Sequence, residues 1–135
     1  MKRNELRAML LEQPYDALVL TSEISRRYAT GFHSTAGAVY LSAKQAVFFT
    51  DFRYVEAAHA AIKDFEVREI KAGQSYSALI NEVIQREHIT RMGYEDEYMT
   101  VADFRRFSEK LSCELVPATQ LLWDLRAVKD SEELN

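Results

Sequence analysis

The chain has 135 residues, of which 47% are hydrophobic, with 17 Lys and Arg against 21 Asp and Glu. Plentiful apolar residues and a net charge of only −4 are typical of one folded domain and exclude a wholly disordered chain. The single cysteine excludes a disulfide scaffold. No apolar run approaches the roughly 18 residues of a membrane span. Because the net charge is negative, we expect no nucleic-acid partner. Because the N-terminus resembles no secretory signal, we expect a cytoplasmic location.

The hydrophobic pattern alternates between helical and strand periods, which predicts an α/β fold of six strands and about six helices. The sheet is expected to be mixed, because two strand-like runs form a hairpin with only Ser42–Gln45 between them. In chain order the pattern predicts a helix over 3–12, a strand over 17–20, a helix over 22–28, strands over 38–41 and 46–49, a helix over 52–62, a strand over 65–70, a helix over 75–88, a strand over 91–94, a helix over 100–111, a strand over 114–116 and a helix over 119–126.

Helix-end residues set most of these boundaries. Pro14 ends the first helix, because the residue before a proline disfavours the α conformation. Gly31 is expected to end the second helix. Side-chain oxygens that can accept a backbone N–H predict helix N-caps at Ser22, at Thr50 or Asp51, at Ser75 and at Thr100.

The last eight residues contain the start of another helix. Ser131 is followed by Glu132 and Glu133, and acidic residues are favoured at the positive end of a helix. We therefore expect a domain over 1–127 and, over 128–135, the start of a linker or helix that leads into a further domain.

The chain has three histidines, none of them in a self-contained metal motif. His33 lies in the loop 31–37, which lacks the lysine of a phosphate-binding loop. Glu56 and His59 are three residues apart and could face one metal, but two ligands are too few, so we interpret the pair as helix surface. Cys113 is interpreted as a small buried hydrophobe.

The segment 51–54 permits two interpretations. Arg53 could offer a bidentate fork to a substrate carboxylate. The interpretation that we favour has Asp51 capping the helix and Arg53 pairing with a nearby acid. The two basic pairs, Arg26–Arg27 and Arg105–Arg106, are interpreted as solvated surface, because two adjacent arginines are too few for a phosphate track.

Three segments together resemble the N-terminal domain of the creatinase/prolidase family. Residues 24–32 are similar to its Tyr-Leu-Thr-Gly-Phe signature, with Ala29 in place of leucine. Residues 49–54 are similar to its Thr-Asp-x-Arg-Tyr segment. Residues 125–134 resemble the Arg-x-x-Lys-x-x-x-Glu junction that leads into the family's catalytic domain. The order of the three segments extends the resemblance over essentially the whole chain.

The resemblance implies a mixed six-stranded sheet flanked by helices, in a ribonuclease-H-like arrangement. It also implies a metallopeptidase centre with two divalent ions (Mn, Co or Zn), held by two Asp, one His and two Glu of a following domain. No catalytic residue, metal ligand or cofactor is therefore expected in this chain, and we expect the chain alone to be inactive.

The resemblance also implies roles for particular residues. In the family this domain commonly builds a homodimer, packs with its own C-terminal catalytic domain and lends a loop to the partner's active site. That makes His33 and Ser34 the candidates for substrate contact, and the alternative interpretation of His33 is an exposed loop histidine without a role. The remaining motif residues are expected to be structural: Tyr28, Gly31, Phe32, Asp51, Arg53 and Tyr54.

The function that follows is that of a non-catalytic N-terminal domain of a prolidase-like Xaa-Pro dipeptidase. Two alternatives stay open. The chain could be a free-standing interaction module with this fold, or the N-terminal domain of a creatinase-type amidinohydrolase. The residues that separate a peptidase from a creatinase belong to the following domain.

Overall fold

The computed structural model describes residues 2–118 and 120–124, and its strands form one mixed sheet with helices on both faces. The predicted α/β fold class is confirmed. The helices are α1 (Lys2–Leu10), α2 (Glu23–Thr30), α3 (Val55–Ala61), α4 (Tyr76–Glu87) and α5 (Val101–Lys110). The strands are β1 (Ala17–Leu20), β2 (Ala38–Ser42), β3 (Ala46–Thr50), β4 (Glu66–Glu69), β5 (Arg91–Tyr94) and β6 (Glu114–Pro117).

Of three predictions near the C-terminus, the described residues cover one in part and the other two not at all. Residues 120–124 are helical, as predicted for the last helix. The predicted junction over 125–134 and the linker over 128–135 lie outside the described residues. No helix in the described ranges is long and apolar enough to cross a bilayer.

The strand order is β4-β3-β2-β1-β5-β6. β2 pairs antiparallel with β1 and with β3, whereas the pairs β3–β4, β1–β5 and β5–β6 are parallel. Among the described strands, β2 is therefore the one that runs against the others. The carboxyl ends of the other five strands lie at the same edge of the sheet as the start of β2, and the residues around that edge form the candidate site.

Alternate residues of the central strands point to two separate apolar layers, as the twofold period of a strand requires. One layer joins the sheet to α1, α2 and α3 and contains Leu6, Leu10, Leu18, Leu20, Ala29, Val39, Leu41, Phe48 and Ala58. The other joins it to α4 and the end of α5 and contains Val19, Tyr40, Val47, Phe49, Ile80, Ile84 and Leu111. Both faces of the central strands are thus buried, which holds the loops at their ends on a rigid base.

Three predicted N-caps are confirmed. The side-chain oxygens of Ser22, Ser75 and Thr100 accept the N–H group three residues further on, at 3.2, 3.2 and 3.1 Å. Gly31 ends α2 in the left-handed conformation, with φ 74°, and its own N–H bonds to the carbonyl of Arg27 at 2.7 Å. The local signals at these ends were therefore sufficient.

The predicted cap at Thr50 or Asp51 is wrong. α3 begins only at Val55, and Tyr54 at its N-cap position makes no side-chain capping bond. The Asp51 carboxylate instead accepts the N–H of Arg53 at 3.0 Å, and its carbonyl accepts the N–H of Tyr54 at 3.1 Å. Aspartate favours such local turns over helix, which delays the helix by about one turn.

Cys113, interpreted as a small buried hydrophobe, is half-buried and packs against the apolar layer of α4. Burial raises the pKa of its thiol to about 11. We expect iodoacetamide at pH 8 to alkylate this thiol at least roughly tenfold more slowly than free cysteine, because the thiolate is the reacting form. Mass spectrometry of timed samples measures the rate. Alkylation as fast as that of free cysteine, in folded protein, would contradict the buried placement.

Candidate active-site loop at the carboxyl edge of the sheet

The two sequence motifs meet at the carboxyl edge of the sheet. The loop 31–37 leads into β2 and the segment 51–54 follows β3, and these strands are hairpin partners. The hydroxyls of Thr35 and Tyr54 lie 2.6 Å apart, and Thr50 donates its hydroxyl to the carbonyl of Ala36 at 2.9 Å. The structure therefore joins the two motifs in one surface.

Phe32 is the apolar anchor of the loop. Its ring meets that of Phe48 edge to face at a centroid distance of 6.1 Å, and that of Tyr54 in the same way at 6.4 Å. Tyr28 and Phe32 are both partly buried against the apolar layer of α1, α2 and α3. Pairs of this geometry add to the stability that burial alone provides. These contacts anchor the loop to the apolar layer.

The two substrate-loop candidates have opposite environments. The His33 side chain is 59% exposed, and its Nε2 contacts the Glu23 carboxylate at the start of α2. Ser34 is buried, and its carbonyl accepts a hydrogen bond from Arg26 at 2.8 Å. Its hydroxyl is enclosed, with no hydrogen-bond partner among the described residues. Of the two candidates, only His33 thus presents its side chain to the surface.

Arg53 pairs with a nearby acid, as the favoured interpretation has it, and that acid is Asp51. The Arg53 Nη2 lies 2.7 Å from Oδ2 of Asp51, and its Nε lies 3.2 Å from both carboxylate oxygens. This contact lowers the pKa of Asp51 and raises that of Arg53. The guanidinium also lies 5.1 Å from the centre of the Tyr54 ring. Asp51 thus engages the Nε and Nη2 side of the Arg53 guanidinium.

Glu95 is a central residue of this edge that the sequence analysis missed. It follows β5, is fully buried, and receives four hydrogen bonds from the turn that begins α2. Oε1 accepts the N–H groups of Thr21 and Ser22 at 2.6 and 2.8 Å. Oε2 accepts the hydroxyls of Ser22 and Ser25 at 2.7 and 2.8 Å. The available signal in the sequence was an acidic residue directly after a predicted strand.

Glu95 occupies the position where an α/β sheet commonly binds a ligand. Strands β2, β3 and β4 follow one another on one side of β1, and β5 and β6 lie on its other side, so the strand order reverses at β1. Ligands of such folds bind at this reversal of strand order, and helix N-termini there attract anions. Here the anion is a side chain of the protein itself. The arrangement favours a structural role for this crevice.

Arg26 corrects the prediction for the basic pairs. Arg105 and Arg106 are exposed, and so is Arg27, but Arg26 is only 5% exposed. It lies on the inner side of α2, where it donates to the carbonyls of Thr21 and Ser34. Adjacent helical residues point about 100° apart, so one arginine of a pair can face the interior while the other faces water.

The described residues do not fit a metal centre. Glu56 and His59 are both exposed on α3, in agreement with their interpretation as helix surface. No group of three or more His, Cys, Asp or Glu side chains within the described ranges converges closely enough to hold a metal ion. Glu95, the buried carboxylate nearest to the motifs, is fully engaged by its four donors.

Comparison with known proteins decides the family. Residues 2–128 match the Creatinase/Prolidase N-terminal domain family. The chain belongs to this family. It is 36% identical to the uncharacterized peptidase YqhT of Bacillus subtilis, over 99% of this chain and 38% of that protein. The creatinase/prolidase domain thus spans well under half of that relative.

Solved structures of creatinase/prolidase relatives agree with the fold. A Xaa-Pro dipeptidase from Bacillus anthracis is 32% identical with a TM-score of 0.84, over 93% of this chain and 35% of that one. The N-terminal domain of the cytoplasmic peptidase PepQ from Mycobacterium tuberculosis H37Rv is 26% identical with a TM-score of 0.80, over 92% of this chain and 97% of that domain.

Proposed function

We propose that this domain is the non-catalytic N-terminal part of a prolidase-like Xaa-Pro dipeptidase, in which it supports a homodimer and shapes the substrate pocket of the partner subunit. The observation that carries the proposal is the loop 31–37, which presents the exposed imidazole of His33 at the carboxyl edge of the sheet. The buried carboxylate at that edge, Glu95, is already engaged by hydrogen bonds within the protein. Such an edge can position a ligand without cleaving it. The similarity to a Xaa-Pro dipeptidase supplies the reaction.

The chemistry of the bond cleavage is assigned to a following catalytic domain. The described donors of this chain do not converge on a metal site. We therefore propose that the two divalent ions, Mn, Co or Zn, are held entirely by that domain. The N-terminal domain would supply a wall of the pocket and part of the dimer contact. The creatinase-type alternative would use the same wall around a small amidine.

Within the pocket, His33 is proposed to meet the carboxylate of the dipeptide. Because Nε2 of His33 contacts Glu23, a substrate carboxylate would be met by Nδ1, which donates a hydrogen bond beside Glu23 only when the ring is protonated and positively charged. Glu23 contacts the ring at Nε2 and restrains its orientation. Because His33 binds and does not cleave, its removal is expected to act mainly on substrate affinity.

Activity of the chain alone and of the longer protein tests this division of labour. The purified 135-residue chain with Mn²⁺ is expected to release no proline from Ala-Pro, whereas the protein that carries the following domain is expected to do so. In that longer protein, His33→Ala is expected to lower kcat/KM by roughly tenfold, the equivalent of one hydrogen bond to a charged group. His59→Ala, which removes an exposed imidazole from α3, is the matched control.

Four results would overturn the proposal. Turnover by the chain alone would place catalysis within it. An unchanged kcat/KM in His33→Ala would show that His33 does not contact substrate in the pocket. A longer protein that cleaves a small amidine such as creatine, and no Xaa-Pro peptide, would establish the creatinase-type alternative. If no hydrolase domain accompanies the chain in its gene, the free-standing module is the correct interpretation.

A further inference from the structure

Arg26 is a buried charge for which neither the motifs nor the proposed function gives a reason. It is 5% exposed, and its burial lowers the pKa of its guanidinium. Among the described residues it forms no ion pair. The negative charges of Glu23 and Glu95 are close enough to offset part of the effect of burial on its pKa. Burying a guanidinium without a direct carboxylate partner is costly, so an apolar side chain would serve the packing better.

The hydrogen bonds of Arg26 indicate what the charge does. Nη1 donates to the carbonyl of Thr21, at the turn before α2, and Nη2 donates to the carbonyl of Ser34 at 2.8 Å. The two nitrogens of one rigid fork therefore tie the loop 31–37 to the turn in which Glu95 is bound. A guanidinium can span two carbonyls in this way because its donors are fixed in one plane.

The hydrogen bond from Arg26 to the Ser34 carbonyl restrains the backbone directly after the exposed His33. Residues 35 and 36 are held by Tyr54 and Thr50, and Phe32 is held by its ring contacts. Arg26 adds the restraint at Ser34, the residue that follows His33. Glu23, three residues before Arg26 on α2, contacts the His33 ring itself. One helix thus holds both the backbone and the side chain at this position.

We propose that Arg26 is a positioning residue that fixes the orientation of the His33 imidazole by holding the Ser34 carbonyl from beneath the loop. It acts through the loop and does not contact substrate. The expected effect on catalysis rests on the proposed function, whereas the effect on His33 does not. The two can therefore be measured separately.

The imidazole signals test the positioning role without any catalysis. The chain has three histidines, so NMR of the purified chain resolves His33, His59 and His88. Arg26→Met is expected to shift and broaden the His33 signals and to leave the other two unchanged. Arg26→Lys keeps a charge but cannot span both carbonyls, so it is expected to give a smaller change. Arg27→Met, at the exposed neighbour on α2, is the control and is expected to change none.

The outcomes separate a positioning role from a purely structural one. His33 signals that stay unchanged in folded Arg26→Met and Arg26→Lys overturn the proposal. Signals of all three histidines that change together also overturn it, because they indicate a global effect. Loss of the fold in both variants counts against it for the same reason, since the guanidinium would then serve the whole domain.

Kinetics of the longer protein give the second measurement. Arg26→Met is expected to raise KM for Ala-Pro roughly three- to tenfold with a smaller change in kcat, because a misplaced binding group weakens substrate binding. Partial rescue in Arg26→Lys supports the same conclusion. Altered His33 signals with unchanged kinetics would leave the positioning role intact and overturn the proposed place of the loop in the pocket.

Discussion

Replacement of the buried carboxylate in Glu95→Ala is expected to lower the free energy of unfolding by roughly 3–5 kcal/mol. The carboxylate receives two backbone N–H groups and two hydroxyls, and alanine would leave all four donors without their acceptor. A buried donor that loses its partner costs about 1–3 kcal/mol, and partial access of water reduces the sum. Urea denaturation of the purified chain, followed by circular dichroism, measures the change.

Two further variants show whether the loss comes from the hydrogen bonds or from the charge. Glu95→Gln keeps the shape and one good acceptor for the backbone N–H groups, so it is expected to lose less than half as much. Glu109→Ala removes the same charge from the exposed face of α5 and is expected to stay within about 0.5 kcal/mol of the parent chain. A loss below about 1 kcal/mol in Glu95→Ala would contradict the central role of this residue.

How far the sequence could predict the fold depends on whether a feature is fixed by neighbouring residues or by residues distant in sequence. Each strand and the three hydroxyl caps depend on residues within a few positions of one another, so their patterns are visible in the chain. The start of α3 was misplaced, because helix capping and a local turn compete for the same aspartate. In the structure the Asp51 carboxylate accepts the N–H of Arg53 within the turn and binds its guanidinium.

The candidate site was only half predictable for a related reason. The loop 31–37 and the segment 51–54 were found through their motifs. Glu95 and Arg26 were missed, because each acquires its role from contacts made across the fold. Glu95 bonds to residues 70 to 74 positions away in sequence. Arg26 was indistinguishable from Arg27 until α2 was packed with one of the two facing inward.

A methyl group added at the base of the motif loop, in Gly37→Ala, is expected to lower the free energy of unfolding by roughly 2–4 kcal/mol. Gly37 has φ 157°, where residues other than glycine are strained, and a Cβ there would lie 2.9 Å from the backbone oxygen of Phe49. It would also lie 3.1 Å from Cζ of Phe48. The Phe49 oxygen belongs to the β2–β3 pairing and cannot move alone, so the loop must shift instead.

Gly73→Ala separates the two sources of that loss. Gly73 also has a positive φ, 85°, but a Cβ there would meet no atom within 4 Å, so only the backbone strain of about 1 kcal/mol is expected. Urea denaturation of both variants gives the difference, which measures the close approach of the loop to β3. Equal losses in the two variants would show that the approach at Gly37 is looser than 2.9 Å. A clearly larger loss of unfolding free energy at Gly37 would establish that the loop carrying His33 packs directly against the β2–β3 hairpin. Such packing would give the loop the rigidity that a pocket wall requires.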